Sequence, residues 1–289
     1  MLDYRALAAL SSVVEQQGFD RAAQALGLTQ SAVSQRIKQL EAQLGQPVVL
    51  RQTPPVATTL GKRLISHLHT VQHLERDLQL PNDETRLKAR IAVNADSLST
   101  WFADALGPIT DEIDINLVIA DQDVGIDWMK RGEVLACLCS ASQAVNGAYV
   151  DSLGTLRYRA YASPAFRERH RLNKDLSRLY QAPCLIFNQD DQLQHRFLEM
   201  LGQPAPASPT ICPSSEGFLQ LALSDCGFGL MPEVQARESV EQGLLVDIAP
   251  GRYIDTPLYW HSWHTTGNAL KHLRQSVMKT ARRWLAQMP

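Results

Sequence analysis

Phe19-Asp20-Arg21-Ala22-Ala23-Gln24-Ala25-Leu26-Gly27-Leu28-Thr29-Gln30-Ser31-Ala32-Val33-Ser34-Gln35-Arg36-Ile37-Lys38-Gln39-Leu40-Glu41 reads as two short helices joined by a tight turn. Asp20 can cap the first by accepting from the free N–H groups of its opening turn. Ala22 and Ala23 are small enough to let another helix approach closely. Gly27 ends the first helix, since glycine takes a left-handed backbone without steric cost, and Thr29 can cap the second. At about 100° per residue, Val33, Ile37, Leu40 and Leu44 fall on one stripe, the one to bury. Ser31, Gln35 and Lys38 fall opposite, with Ser34 on the flank and Gln30 at the helix start. Short hydroxyls, amides and a cation exchange hydrogen bonds with base edges and phosphates. The first helix would lie across a DNA backbone and the second in the major groove. An ordinary helical hairpin with a solvated face fits the same pattern.

The rest of the chain sets bounds on this reading. A chain of 289 residues is long for one core, so two or three folded units are expected. No apolar run reaches the roughly 18 residues of a membrane span. The opening Met1-Leu2-Asp3-Tyr4-Arg5 lacks the basic-then-apolar order of a signal peptide, so a cytoplasmic protein is expected. The net charge of −2 does not advertise nucleic-acid binding, but the first 80 residues hold eight Lys/Arg against six Asp/Glu, a small positive excess. That bias counts only if one face gathers it. Five cysteines, an odd number, argue against a disulfide framework. Cys137-Leu138-Cys139 puts two thiols on one side of a strand among apolar neighbours, which reads as buried structural thiols. No metal site is expected from the histidines.

Taken in order, residues 3–17 form a supporting helix stopped by Gly18, and residues 46–51 form a short apolar strand. Thr58 to Leu80 is a long helix. Its Leu60, Leu64, Leu68, Val71, Leu74 and Leu78 recur every three or four residues, the seam of two helices packed on each other. Pro81-Asn82-Asp83 ends it. The predicted units are 1–57, a linker and dimerisation helix over 58–82, and 87–289. From Leu87 strands alternate with helices, which predicts parallel sheets covered on both faces. Expected strands fall at 89–94, 113–120, 134–139, 149–163, 184–187, 210–213, 228–231, 244–247 and 257–263, and a closing helix at 268–287. Some 200 residues of this kind suit two small α/β lobes, with ligands at the carboxyl ends of strands where helix N-termini point.

The residues at those strand ends are candidate contacts. Ser97 and Thr100 bracket a helix N-terminus, a natural seat for a carboxylate, although Ser97 can equally serve as a cap. Asp96, Asp123 and Glu216 suggest a cationic guest, although acids near helix N-termini also serve the dipole alone. Trp101, Ser140, Asn188 and Ser215 complete the expected lining.

Phe19 through Glu41 resembles the DNA-binding signature of LysR-type transcriptional regulators, F-x-x-A-A-x-x-L-x-x-(T/S)-Q-(S/P)-A-V-S-x-x-I-x-x-L-E. Leu44-Gly45 and Ala57-Thr58-Thr59-Leu60-Gly61 are similar to its following turn and L-T-x-A-G segment. The likeness covers nearly the whole chain. Val93 to Phe102, Leu153 to Phe166 and Pro257-Leu258-Tyr259-Trp260 resemble the arginine/lysine-responsive branch of that family. The resemblance implies an α+β multidomain protein: an N-terminal winged helix-turn-helix, a linker helix that pairs two chains, and a two-lobed α/β effector domain like periplasmic binding proteins. Lobe I would comprise about 87–161 and 260–289, and lobe II about 162–259, with crossings near Tyr161 and Tyr259. It also implies Arg51 and Lys62 on phosphates, a homodimer or dimer of dimers on double-stranded DNA, RNA polymerase as a further partner, and lysine or arginine as effector. Thr53-Pro54-Pro55-Val56 departs from the commoner basic wing.

Reaction chemistry has little support. There is no nucleophile elbow, P-loop or Gly-x-Gly-x-x-Gly, and no cofactor is expected. The leading expectation is a ligand-responsive transcription factor. The alternative is a DNA-architectural or replication-control protein whose effector domain serves assembly. Ligand-dependent operator contacts separate them.

Overall fold

The computed structural model describes residues 2–76, 87–120, 124–264 and 267–286. The N-terminal unit consists of α1 (Tyr4–Glu15), α2 (Phe19–Ala25), α3 (Gln30–Leu44), a hairpin of β1 (Val49–Leu50) and β2 (Val56–Ala57), and the long α4 (Thr59–Arg76). Asp3 caps α1 by accepting from the Arg5 N–H. The stop after α1 is made by Gln17, which takes the left-handed turn at φ 52°. Gly18 then precedes α2 in extended backbone. Asp20 consequently sits inside the first turn of α2 and makes no cap bond, contrary to expectation. Its charge still complements the helix dipole.

Leu7, Leu10, Val33, Ile37 and Leu40 form the buried centre of this unit. Leu64 and Leu68 of α4 belong to the same cluster, at 7% and 4% exposure, and Leu60 packs against it part-buried. This corrects the reading of Leu64 and Leu68 as a seam between chains, while Leu60 keeps part of its surface exposed. A helical stripe shows that a face is buried, not whose surface buries it, and here α1 does. Val71 is half-buried, while the Leu74 side chain, Leu78 and the expected linker end at 81–83 lie outside the described residues.

The C-terminal unit begins with β3 (Leu87–Val93) and α5 (Ala95–Ser97), which runs through a π-helical stretch into α6 (Ala103–Leu106). Then follow β4 (Ile113–Ile119), α7 (Val124–Lys130), β5 (Ala136–Cys139), β6 (Ala148–Ala162) and α8 (Pro164–Arg169). Next come β7 (Cys184–Ile186), α9 (Leu193–Met200), β8 (Pro209–Ile211), α10 (Ser215–Leu223), β9 (Gly229–Pro232) and α11 (Glu233–Glu241). The chain closes with β10 (Val246–Asp247), β11 (Ile254–Trp263) and α12 (Asn268–Trp284).

One sheet runs β10-β6-β11-β5-β3-β4, with β9 also on β6, while β7 and β8 pair separately. β3 is parallel to β4 and β5, and β7 to β8, as the alternating pattern predicts. The prediction fails along the two long strands. β11 is antiparallel to β5 and β6, and β6 is antiparallel to β9 and β10. The reason is topological: β6 carries the chain toward β9 and β10, and β11 brings it back alongside. Their register shifts between Leu258 and Tyr259. Beside that shift Gly154 holds φ 123°, where a Cβ would meet the Ala286 carbonyl oxygen at 2.6 Å. Several strands differ at their ends; β8 is exposed throughout, and β11 begins three residues early, at Ile254.

Trp101, Phe102 and Trp260 anchor the core beneath α12, whose Leu273 and Val277 are fully buried. Cys137 and Cys139 are free and buried against Ile126 and Met129 of α7. Their mutual hydrogen bond and burial keep the Cys137 thiol protonated. Among the described residues no helix is long and apolar enough to cross a membrane.

Candidate functional site

The second helix of the opening pair is α3. Gly27 turns the chain at φ 64°, and Thr29 caps α3 by accepting from the Ala32 N–H at 3.2 Å. Burial of Val33, Ile37 and Leu40 on α1 fixes the rotation of the helix. Gln30, Ser31, Gln35 and Lys38 are thereby exposed together, and Ser34 is half-buried beside them. Arg51 is exposed at the end of β1, with Nη2 3.1 Å from the Glu41 carboxylate. Glu41 also accepts from the Val48 N–H, so one carboxylate ties the wing to α3. Lys62 is exposed as well, and its ammonium lies 3.6 Å from the almost fully buried carboxylate of Glu133 in the C-terminal unit.

A cavity of about 420 Å³ opens where β3, β7 and β9 end, against the middle of β6. Asp96 is its central acid. Tyr158 donates to Oδ2 at 2.7 Å and Ser215 to Oδ1 at 2.5 Å. Gln235 steadies Ser215 through the Ser215 carbonyl at 2.9 Å. Burial pushes the Asp96 carboxyl above its usual range, Ser215 and Tyr158 oppose this, and the nearby charge of Asp191 adds to it. Tyr158 is held well above the ordinary phenol range by burial and by Asp96. Asn94 lines the wall with 7% exposure, and its Oδ1 has no hydrogen-bond partner. Across the cavity stand Asn188, Asp190 and Asp191 after β7, and Arg196 one turn into α9. Asp191 is oriented by the Phe187 and Leu193 N–H groups. Acids with one guanidinium can hold a molecule bearing both charges.

Of the expected lining residues, Asp96, Asn188 and Ser215 come together here. Ser97, Thr100, Trp101, Ser140 and Glu216 do not line the cavity. Ser97 is one helix step round from Asp96 and fully buried. The Thr100 hydroxyl is spent on the Asp96 carbonyl, and Trp101 packs edge-on to Phe102 in the core. Ser140 lies past β5, and Glu216 is exposed, turned away by the step that points Ser215 inward. Asp123 lies outside the described residues, although its neighbour Val124 reaches the cavity. Sequence reasoning passed over Asn94, Tyr158, Asp190, Asp191, Arg196 and Gln235. The strand-end rule that selected Asn188 could have found Asp190 and Asp191.

Residues 4–61 match the model of the bacterial regulatory helix-turn-helix proteins of the lysR family, and residues 82–282 match the LysR substrate binding domain. The chain belongs to the LysR family of transcriptional regulators. It is 47% identical to the HTH-type transcriptional regulator ArgP of Pseudomonas fluorescens, each chain covered in full. Against ArgP of Pseudomonas aeruginosa it is 48% identical, over 97% of this chain and 96% of that one. The ArgP structure from Mycobacterium tuberculosis superposes with TM-score 0.84 at 32% identity, covering both chains in full. Full-length LysG from Corynebacterium glutamicum with bound effector Arg gives TM-score 0.71 at 31% identity, over 99% of this chain and 100% of that one. This LysR-family regulator thus joins a winged helix-turn-helix to an α/β effector domain of the periplasmic-binding-protein type, and its relatives are regulators, not enzymes. It is a DNA-binding regulator modulated by a small effector.

Proposed function

We propose that the effector is a basic amino acid, arginine or lysine, held in the cavity around Asp96. The observation that carries this reading is a half-buried carboxylate whose side-chain donors among the described residues are two neutral hydroxyls, Tyr158 and Ser215, and whose ionisation burial resists. A cation compensates a buried carboxylate far better than hydroxyls do. The distal guanidinium or ammonium sits on Asp96 with the Asn94 oxygen as a further acceptor, and the α-carboxylate meets Arg196. The LysG neighbour, whose structure holds bound effector Arg, supports the same ligand class.

On this reading Gln30, Ser31, Ser34, Gln35 and Lys38 face the major groove, and Arg51 meets phosphate. Residues 87–161 and 260–289 act as one lobe and 162–259 as the other. Two chains pair so that two recognition helices read one roughly palindromic site, with dimers pairing further and RNA polymerase engaged on the same DNA. The ligand favours one arrangement only if it binds that arrangement better.

Calorimetry with arginine, lysine, citrulline and leucine, followed by operator titration with and without the binder, tests the proposal. Arginine and lysine bind, citrulline and leucine bind far more weakly, and the binder changes operator affinity. Equal binding of leucine overturns the ligand class. Operator affinity indifferent to every binder favours the architectural alternative.

A further inference from the structure

Helix α7 is two turns long, and its ends touch different sites. Val124, its first residue, lines the Asp96 cavity. The turn that follows it lies on α4, the helix that leads out of the DNA-binding unit. Gly132 sits there in a left-handed turn at φ 68°, so close that a Cβ would lie 3.3 Å from the Ser66 hydroxyl. Glu133 Oε2 is 3.6 Å from the Lys62 ammonium, and its other oxygen takes Arg131 Nε at 2.9 Å. The N–H groups of Gly132 and Glu133 return to the Met129 and Trp128 carbonyls at 2.8 Å, so this turn is an extension of α7. Ile126 and Met129 pack on β5, which leaves α7 little freedom to deform. A packed helix moves as a body, and about 10 Å of helix separates its ends.

A second element makes the same connection. β3 leads into Asn94 at the cavity and carries Lys88 near its other end, where Nζ lies 2.9 Å from Glu15, the last residue of α1. Glu15 also accepts from Ser11 at 2.7 Å and faces His69 of α4 at 3.6 Å. These contacts surround a second cavity of about 430 Å³ between the two units. Lys62, Lys88, Arg90 and His69 line it together with Glu15, Asp114 and Glu133. Its acids and cations pair across it, Lys62 with Glu133 and Lys88 with Glu15. It is a joint.

We propose that α7 and its Gly132-Glu133 turn, through Ser66 and Lys62, couple the effector cavity to the DNA-binding unit of the same chain. Lys62 is then a coupling residue whose partner is Glu133, not DNA phosphate. The inference rests on the basic amino acid reading of the cavity. It gives that reading a route by which a ligand touching Val124 tilts α4 and the recognition helix with it.

The test uses the full chain, with Lys62→Gln, Glu133→Gln and the exchange Lys62→Glu with Glu133→Lys. Arginine affinity is measured by calorimetry without DNA, and operator affinity is measured with and without saturating arginine. Each single variant is expected to bind arginine within about twofold of wild type, while the arginine-induced change in operator affinity collapses toward none. The exchange restores part of that change. Lys62→Gln leaves the salt slope of operator binding unaltered, whereas loss of a phosphate contact lowers it by about one. An undiminished arginine effect in both single variants, or a slope lowered by about one in Lys62→Gln, overturns the coupling role. If wild type gives no heat with any basic amino acid, the ligand reading fails, and this route falls with it. Lys62 is exposed and Glu133 almost fully buried, so the Lys62 variant is expected to fold even if Glu133→Gln does not.

Discussion

Tyr158 donates its hydroxyl to Oδ2 of Asp96 at 2.7 Å, fastening the long strand β6 to the first turn after β3. The bond leaves a carboxylate whose ionisation burial resists. A carboxyl raised above its unfolded value stabilises the fold below that unfolded value, and this contribution is lost as pH rises through the folded value. Asp96→Asn is therefore expected to raise the melting temperature of the unliganded protein at neutral pH and to abolish the further rise given by arginine. In wild type, arginine affinity falls as pH drops through the raised value, with protons released on binding there. Calorimetry in two buffers of different ionisation heat measures that release. A pH-independent affinity would remove Asp96 as the cation's partner.

Gly61 lies in the first turn of α4, where a Cβ would stand 2.0 Å from the Val48 carbonyl oxygen. Glycine to alanine inside a helix ordinarily stabilises by about 0.5–1 kcal/mol. Here the sign reverses, because backbone is the obstacle and the wing must move. Gly61→Ala is expected to lower the chemical denaturation midpoint of the N-terminal unit and to weaken operator binding. A stability gain would show that the wing yields easily.

What could be read in the sequence follows the range of the interaction that decides it. Thr29, Gly27 and the Val33-Ile37-Leu40 stripe act within one or two turns, so their roles were visible without a fold. Asp96 and Ser215 follow from the general rule that strand ends face a site. Tyr158 could not be found this way. It reaches Asp96 only because the β6 register sets it opposite Ile254 on one side and Pro232 on the other. The Lys62–Glu133 ion pair was hidden for a similar reason, since the two residues are distant in sequence.

Leu68 is 4% exposed within the cluster formed with Leu7 and Leu10. Leu68→Ala should cost about 2–5 kcal/mol, as truncation of a buried leucine generally does. The loss should appear in denaturation of the N-terminal unit. A variant that dissociates in sedimentation while its denaturation is unchanged would return Leu68 to an interface between chains.

Gln35 and Lys38 are both exposed on α3, but their chemistry sets them different tasks on DNA. An amide has two donors and an acceptor that match a base edge, whereas a lone ammonium on a flexible stem acts as a point charge. Gln35→Ala is expected to cost about 1–3 kcal/mol on the operator and little on random DNA. Lys38→Ala should weaken both alike and reduce the salt slope by about one. Titrations on both DNAs across a salt series separate the two effects. If Gln35→Ala weakens random DNA as much as the operator, Gln35 touches backbone and the base-reading role passes to Ser31 and Ser34 on the same face.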